Sequence, residues 1–166
     1  MVVGIADCRV SRDEGEVLVT YALGSCIAVA IFDPVARVGG LLHCMLPDSS
    51  MDRAKAYRNP FMFGDTGVAA LLGEACGLGA SRQRLIVRLA GGARMVDGPG
   101  IFNIGKRNHL AVRKTLWKAG ILVHSEAVGG AVSRSLRLEI STGRCWLRPA
   151  GSPEEELGPS LAAWKG

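Results

Sequence analysis

The sequence predicts a single α+β domain in which mixed or antiparallel β-sheets pack with about two main helices. Three observations lead to this fold class. The predicted elements follow the order strands, helix, strand, helix, strands. The apolar runs are short and are broken by Gly, Pro or charge, and 48% of the 166 residues are apolar, enough for one sizeable core. This order favours helices packed on mixed sheets over a doubly wound parallel fold.

The first 46 residues are rich in strand patterns. A short strand is predicted over residues 16–20. The run 26–32 is continuously apolar and ends at Asp33-Pro34, a pattern typical of a strand buried on both faces. Another strand covers residues 38–46. Because only residues 33–37 separate these two runs, we expect them to be hairpin neighbours.

The middle of the chain alternates loop, helix and strand. Residues 48–64 are polar and irregular, and a loop of this length is often functional, such as a flap over a site. Asp65 is predicted to N-cap a helix whose apolar residues recur at helical spacing as far as Leu78. A strand over 85–89 and a glycine-rich connection over 97–105 follow.

The last third is predicted to hold a second helix and three strands. The helix covers residues 106–119, and the strands cover 121–128, 136–140 and 145–147. Residues 149–166 carry three consecutive glutamates and several prolines, so we expect a loosely attached tail. The predicted domain therefore spans residues 1–148.

Composition and motifs exclude several classes of protein. No apolar run approaches the roughly 20 residues of a membrane helix, and residues 1–7 lack the basic region of a secretory signal. The five cysteines show no framework spacing, so we expect reduced thiols in the cytoplasm. Zinc-type Cys/His spacing, a dinucleotide fingerprint and a P-loop are absent from the sequence. We therefore expect no metal, no cofactor and no membrane insertion.

Positive charge is concentrated in residues 82–148. This segment holds thirteen basic and only three acidic side chains, whereas the whole chain has a formal charge of +5. The bias favours an acidic partner surface, although a solvated basic face remains an equal alternative. Nucleic acid is disfavoured as a partner, because interleaved aromatic residues are few and no binding motif is present.

A cysteine and a histidine on neighbouring predicted strands form the most informative pair. Cys26 ends the stretch Thr20-Tyr21-Ala22-Leu23-Gly24-Ser25-Cys26 at a Gly-Ser turn, and His43 lies on the next strand. Because strand side chains alternate, Cys26 and His43 can share one face while Cys44 points the opposite way. A thiol beside a histidine is how a cysteine nucleophile meets its base, so the pair suggests acyl-transfer chemistry.

Other groups near Cys26 fit the same chemistry. Backbone N–H groups around Gly24, Ser25 and Cys26 are candidates to hold an oxyanion. Thr20, at the end of a strand, is a candidate to orient the histidine. The alternative is that Cys26 is a small buried hydrophobic residue, the usual fate of a free cysteine.

Seven segments in a fixed order resemble the CheD family of chemoreceptor glutamine deamidases. They are the stretch from Thr20 to Cys26, Asp33-Pro34, Gly39-Gly40-Leu41-Leu42-His43-Cys44-Met45-Leu46-Pro47, Asp65-Thr66-Gly67, Ala90-Gly91-Gly92-Ala93, Asn103-Ile104-Gly105-Lys106-Arg107-Asn108 and Gly129-Gly130. Together they span most of residues 2–148. One departure is Ser133-Arg134, where the family usually has Gly-Arg.

The resemblance implies a reaction and a set of partners. Cys26 is implied as the nucleophile, His43 as the general base and acid, and Thr20 as the residue that orients the histidine. The implied substrate is a glutamine side chain of a methyl-accepting chemotaxis receptor, deamidated through a thioester. Some family members are also linked to hydrolysis of receptor methyl esters, and a CheC-type phosphatase is the family's partner.

The resemblance also implies a fold like the catalytic domain of the deamidating cytotoxic necrotizing factors. A different class of function stays open at this point. The chain is alternatively a binding module that docks chemoreceptors or CheC without turnover, because catalysis needs a geometry that a sequence does not give.

Overall fold

A computed structural model describes residues 1–95 and 103–158. Within these residues the strands are β1 (Asp7–Ser11), β2 (Val17–Leu23), β3 (Ile27–Asp33), β4 (Val38–Cys44), β5 (Ile86–Gly91), β6 (Ser125–Val128), β7 (Arg134–Glu139), β8 (Cys145–Pro149) and β9 (Glu155–Glu156). The α-helices are α1 (Arg53–Arg58), α2 (Gly64–Gly77) and α3 (Ile104–Lys118). Short 3-10 helices cover Ser49–Met51, Pro60–Met62 and Arg82–Arg84.

The strands form two sheets. One has five strands in the order β1-β4-β3-β5-β6, and the other has four in the order β2-β7-β8-β9. The pairings are antiparallel except for the parallel pair β5 and β6. The predicted α+β class is therefore confirmed, with α2 and α3 as its two main helices.

Two cores hold the layers together. On one face of the five-stranded sheet, Val29 and Leu42 pack with Leu71 of α2 and Val112 of α3. The other face packs against the four-stranded sheet through small and branched side chains, among them Ala28, Ala30, Leu41, Leu18, Leu136 and Leu138. Because successive strand residues point to opposite faces, β3 supplies both cores, which explains its unbroken apolar run.

The predicted hairpin of β3 and β4 is confirmed, with Ala28 paired to His43. Asp33 ends β3 with a side chain inaccessible to solvent. Burial raises the pKa of this carboxyl, but hydrogen bonds from Arg84 and from the N–H groups of Ser81, Ala36 and Val35 outweigh burial and bring the pKa to about 2. The buried carboxylate thus fixes the turn that sets the register of the hairpin.

The prediction of an irregular loop over residues 48–64 is wrong. The segment contains α1 between two 3-10 helices. The side chains of Asp48, Asp52 and Asn59 each accept a hydrogen bond from a backbone N–H at the start of one of these helices. Such caps stabilise short helices that lack an apolar periodicity of their own, which is why a hydrophobic pattern misses them.

The predicted N-cap of α2 is also wrong. The helix begins at Gly64 with Phe63 as the N-cap, and Asp65 lies in its first turn. The Asp65 carboxylate accepts hydrogen bonds from the backbone N–H and the hydroxyl of Ser49, at 3.0 and 2.6 Å. Asp65 therefore ties the segment after β4 to α2.

The ends of several elements differ from prediction. Strand β1 was not predicted, and the strand expected over 121–128 covers only Ser125–Val128. Most of the predicted connection 97–105 lies outside the described residues. The boundary expected at residue 149 falls at the end of β8, and β9 pairs with β8 while Leu157 is buried. Residues 149–158 thus pack on the four-stranded sheet, and residues 159–166 lie outside the described range.

None of the helices in residues 1–95 and 103–158 has the length and apolar character needed to cross a bilayer.

Candidate active site

Three segments bring Thr20, Cys26 and His43 together at one end of the two packed sheets. Thr20 lies on β2, His43 on β4, and Cys26 directly precedes β3. Thr20 and His43 are fully buried, whereas Cys26 is only partly buried. Of the three residues, Cys26 alone keeps appreciable solvent-accessible surface.

The strand register places Cys26 and His43 on the same face. His43 pairs with Ala28, so Cys26, two residues earlier, is a diagonal neighbour of His43 at roughly 7 Å between Cα atoms. Cys26 packs against the core between the two sheets, whereas Cys44 belongs to the core beneath the helices. The alternation inferred from the sequence therefore describes this face correctly, and Cys44 is kept out of the site.

A short hydrogen-bond chain fixes the His43 ring. The Thr20 hydroxyl lies 2.8 Å from the carbonyl oxygen of Val3 and 2.7 Å from Nδ1 of His43. The carbonyl can only accept, so the hydroxyl donates its single proton to Val3 and accepts from Nδ1–H. This assignment places the lone pair of the neutral ring on Nε2. Thr20 thus selects the tautomer whose Nε2 can take a proton.

The environment of His43 keeps its imidazole neutral. Burial lowers the pKa of His43 to about 4, because the charged ring loses hydration. Its Nε2 atom is buried and makes no hydrogen bond within residues 1–95 and 103–158. At neutral pH the ring is therefore an uncharged base with an unused lone pair.

Cys26 is held as a thiol before any substrate binds. Burial raises the pKa of Cys26, and the residue's own backbone N–H opposes this shift by favouring the thiolate. The other cysteines differ in setting, since burial raises the pKa of Cys44 to about 12 and Cys76 is exposed on α2. The resting pair is thus a neutral thiol beside a neutral imidazole, and the two make no hydrogen bond in this structure.

Backbone hydrogen bonds hold the loop that carries Cys26. The carbonyl of Gly24 accepts from the N–H of Ala93, and the carbonyl of Cys26 accepts from the N–H of Gly92, both at 2.8 Å. Gly91 has a φ of +111°, and a Cβ there would lie 2.1 Å from the Cys26 carbonyl oxygen, so only glycine fits. The segment 90–93 is therefore a backbone cradle for the cysteine loop.

The three N–H groups expected to stabilise an oxyanion differ in whether they already donate a hydrogen bond to another residue. The N–H of Gly24 donates to the carbonyl of Ala22 at 2.9 Å and is engaged. The N–H groups of Ser25 and Cys26 make no hydrogen bond to another residue in the part of the chain that the structure describes. Ala22 itself has a φ of +55° at an irregularity in the pairing of β2 with β7, which turns the chain from Thr20 toward the cysteine loop.

Comparison with known sequences identifies the family. The family described as "CheD chemotactic sensory transduction" matches residues 45–149. A protein of Solibacter usitatus named "Probable chemoreceptor glutamine deamidase CheD" is 57% identical over 97% of this chain and 95% of its own length. The chain belongs to the CheD family. The CheD 1 protein of Syntrophus aciditrophicus is 49% identical over 95% of this chain and 98% of its own length.

A further CheD relative is the "Chemoreceptor glutamine deamidase CheD" of Thermotoga maritima. It is 42% identical over 93% of this chain and 94% of its own length. Because these proteins match almost end to end, the whole described fold of this chain is the unit they share with it.

Asn108 is a site residue of this CheD family member that sequence reasoning missed. The side chain is fully buried on α3, and its Nδ2 donates to the carbonyl oxygens of Ser25 and Met45, each at 3.0 Å. One amide thus ties the residue before Cys26 to the residue two positions after His43. Asn108 lay within a recognised motif, but only the folded chain shows which carbonyls it contacts.

Arg134 is a second residue near the candidate site that the sequence analysis did not identify. Its guanidinium is mostly buried and donates to the carbonyl oxygens of Gly91, Ala127 and Gly129. These bonds hold the ends of β5 and β6, next to the cradle that bonds the cysteine loop. Ser133, at the position where the resemblance implies a glycine, accepts a hydrogen bond from the N–H of Ala150 through its carbonyl. That backbone bond does not depend on the serine side chain.

Proposed function

We propose that this chain is a cysteine amidohydrolase that converts glutamine side chains of chemoreceptors to glutamate and so modulates chemotaxis. The observation that carries the proposal is the Thr20–His43 hydrogen bond, because it leaves Nε2 as the unprotonated atom of a neutral ring on the Cys26 face. The printed names of the similar CheD proteins supply the substrate class.

In the first step Cys26 attacks the carboxamide carbon of the bound glutamine. The thiol proton passes to Nε2 of His43 as the carbon–sulfur bond forms, so no free thiolate is needed beforehand. The carbonyl oxygen gains the negative charge, and we assign the N–H groups of Ser25 and Cys26, which donate to no other described residue, to stabilise it. Thr20 stabilises the imidazolium by accepting from Nδ1–H.

In the second step the tetrahedral adduct collapses. Nε2 returns the proton to the departing nitrogen, ammonia leaves, and a thioester on Cys26 remains. Water then attacks the thioester carbon with His43 again taking a proton, and the carbon–sulfur bond breaks to give glutamate and the thiol. The same acyl chemistry hydrolyses a methyl ester, so we include a receptor methylesterase activity in the proposal.

The partners in this proposal come from the family resemblance. They are methyl-accepting chemotaxis receptors as substrate and a CheC-type phosphatase as a competing partner. The proposal places the protein in the cytoplasm, where the five cysteines stay reduced. Co-purification of the chain with a CheC-type phosphatase, and displacement of that phosphatase by a receptor fragment, tests the partner assignment.

The function is tested by incubating the purified protein with a chemoreceptor cytoplasmic fragment and mapping glutamines by mass spectrometry. Conversion of specific glutamines to glutamate, with release of ammonia, is the expected result. A fragment carrying methylated glutamates tests the esterase activity in the same assay. Binding of the fragment without any conversion would instead support a non-catalytic docking module, and the deamidase proposal would fail.

A further inference from the structure

The basic residues of segment 82–148 separate into two groups in the structure. Some are already satisfied, since Arg84, Arg113, Arg137 and Arg144 form ion pairs, and buried Arg88 and Arg134 donate to backbone carbonyls. The basic residues with no ion pair to a described residue are Arg82, Arg94, Lys106, Arg107, Lys114, Lys118 and Arg148. Four of these seven lie on α3, so the uncompensated charge is concentrated on one helix.

The same helix exposes two large apolar side chains. Leu110 is 56% exposed and Trp117 is 78% exposed. They are seven residues apart, so they lie on one stripe of α3 about 10 Å from each other. The inward face of the helix carries Asn108, Val112 and Leu116, which places the stripe on the outward side.

The cations flank this apolar stripe on both sides. At 100° per residue, Lys106 falls on one side of it, and Arg107, Lys114 and Lys118 fall on the other. The pKa of Asp48 is lowered mainly by hydrogen bonds from Ser50 and to a smaller extent by the charges of Lys114 and Arg53, and Asp48 forms no ion pair with Lys114. Arg113 also lies beside the stripe, paired to Glu126.

This pattern matches one kind of partner. Apolar anchors two turns apart, with charges beside them, fit another helix that carries an apolar stripe and acidic flanks. A second copy of this chain is disfavoured as the partner, because a symmetric contact would place the four α3 cations of one copy next to the same four cations of the other, and they would repel each other. A lipid surface needs a wider apolar face than two side chains, and Leu110 has no role in binding phosphates.

We propose that the outward face of α3, defined by Lys106, Arg107, Leu110, Lys114, Trp117 and Lys118, docks an acidic helix of the protein substrate. The docking face and the candidate active site are linked through one helix, because Asn108 on the inner side of α3 donates to the Ser25 carbonyl. This inference rests on the proposed function and specifies how the substrate is held.

The test compares the wild type with the double variant Arg107→Glu and Lys114→Glu, using the full chain and a chemoreceptor cytoplasmic fragment. We expect KM to rise at least ~10-fold while kcat stays within about twofold, because the charges act before the chemical step. The difference in KM shrinks at high salt. Trp117→Ala raises KM severalfold with little dependence on salt, because it removes an apolar anchor.

Two controls separate docking from other effects. Arg12→Glu with Arg82→Glu makes the same charge change at exposed cations outside α3, and it should leave KM unchanged. The rate of iodoacetamide alkylation at Cys26 should be equal in all these proteins, since a small reagent needs no docking surface. An unchanged KM in the α3 double variant, or an equal rise in the control, would overturn the proposal.

Failure of the deamidase function is distinguishable from failure of docking. Binding of the fragment to the Cys26→Ala protein is measured with and without the α3 substitutions. If the wild type and Cys26→Ala bind the fragment but the wild type does not convert glutamine, the deamidase proposal fails. Loss of binding on adding the α3 substitutions to Cys26→Ala would then still support docking on α3. If the wild type does not bind the fragment, docking is refuted. Loss of binding to phosphatidylserine vesicles or RNA, with KM unchanged, would assign the face to those ligands instead.

Discussion

At the scale of single residues, the proposed mechanism depends on the proton that lies between Nδ1 of His43 and the Thr20 hydroxyl. The hydroxyl of Thr20 can donate only once, and it donates to the Val3 carbonyl, so Nδ1 must be the protonated ring atom. In the proposed mechanism the base is therefore Nε2, and no carboxylate is needed to orient the ring. A neutral hydroxyl also suits the buried ring, because no second charge has to be desolvated.

Replacing Thr20 by valine tests this role. The side chain keeps its shape, but the imidazolium formed during attack loses its acceptor, a hydrogen bond worth about 1.5–3 kcal/mol. We expect kcat to fall roughly 10- to 100-fold with little change in KM. Thr20→Ser keeps a hydroxyl and should retain most of the activity. Equal kcat in the valine and serine variants would show that the hydroxyl does not act on the ring.

The depressed pKa of His43 gives a pH prediction. The base must be neutral, and its pKa is about 4, so kcat/KM should stay level as pH falls from 7 to about 5 and drop only as pH passes through 4. A base with an ordinary pKa near 6.5 would already lose activity below pH 6.5.

The fold must be followed alongside this pH profile. An unfolded chain binds a proton at His43 below about pH 6.5, whereas the folded chain binds it only near pH 4. The contribution of His43 to stability is therefore present above pH 6.5 and is lost as pH falls to 4. Circular dichroism at each pH separates loss of fold from protonation of His43. A fall in kcat/KM near pH 6.5 while the protein is still folded would contradict the depressed pKa of His43.

The residue-scale site was only partly predictable from the sequence. The period of two along a strand places Cys26 and His43 on one face once the hairpin is known, and the hairpin follows from the short spacing at Asp33. The part played by Val3 depends on contact between positions 17 residues apart. Nothing in the local pattern of either segment specifies that contact.

At the scale of elements, α3 organises the candidate site from outside the sheets. Asn108 bonds one carbonyl 83 residues away and another 63 residues away in sequence. Such a clamp cannot be inferred from helical periodicity, which predicts only that Asn108 occupies an inward position. The two helices and most strands were predictable because their apolar spacing is strong, whereas α1 and β1 lack it.

The clamp is tested by Asn108→Asp. Aspartate keeps the size of the side chain but its carboxylate only accepts, so both carbonyls lose their donor, at about 1–3 kcal/mol of stability. We expect a folded protein with kcat lowered ~10-fold or more, because the cysteine loop and the segment after His43 are no longer held together.

A matched substitution on the same helix is Thr115→Val. Its hydroxyl donates only to the carbonyl of Ala111 within α3, so kcat should not change. A folded Asn108→Asp protein with wild-type kcat would show that the clamp has no bearing on the reaction.

At the scale of the whole molecule, the four-stranded sheet extends past the domain boundary expected from composition. Acidic residues and prolines suggested a loose end, but the glutamates of this segment pair with arginines of β7 and its neighbourhood, Arg137 with Glu154 and Arg144 with Glu156. Both arginines also lie over the ring of Trp146. The glutamates that suggested a disordered tail thus form ion pairs that hold β9 at the edge of the four-stranded sheet.

Leu157 tests whether this segment belongs to the cooperative fold. It is buried, so Leu157→Ala should lower the free energy of unfolding by about 2–3 kcal/mol. Leu122→Ala makes the same chemical change at a side chain that is 78% exposed, and it should cost less than about 0.5 kcal/mol. Urea unfolding of both variants gives the comparison. Equal stability of the two would mean that residues 149–158 are not part of the cooperative unit.

Cys26 as the nucleophile is tested by comparing glutamine conversion by the wild type, Cys26→Ala and Cys44→Ala. All three are incubated with the same chemoreceptor cytoplasmic fragment and analysed by mass spectrometry. We expect conversion by the wild type and Cys44→Ala, and none by Cys26→Ala, because Cys26 shares a face with His43 and Cys44 does not. Conversion by Cys26→Ala at the wild-type rate would show that Cys26 is not the nucleophile and that the proposed mechanism is wrong.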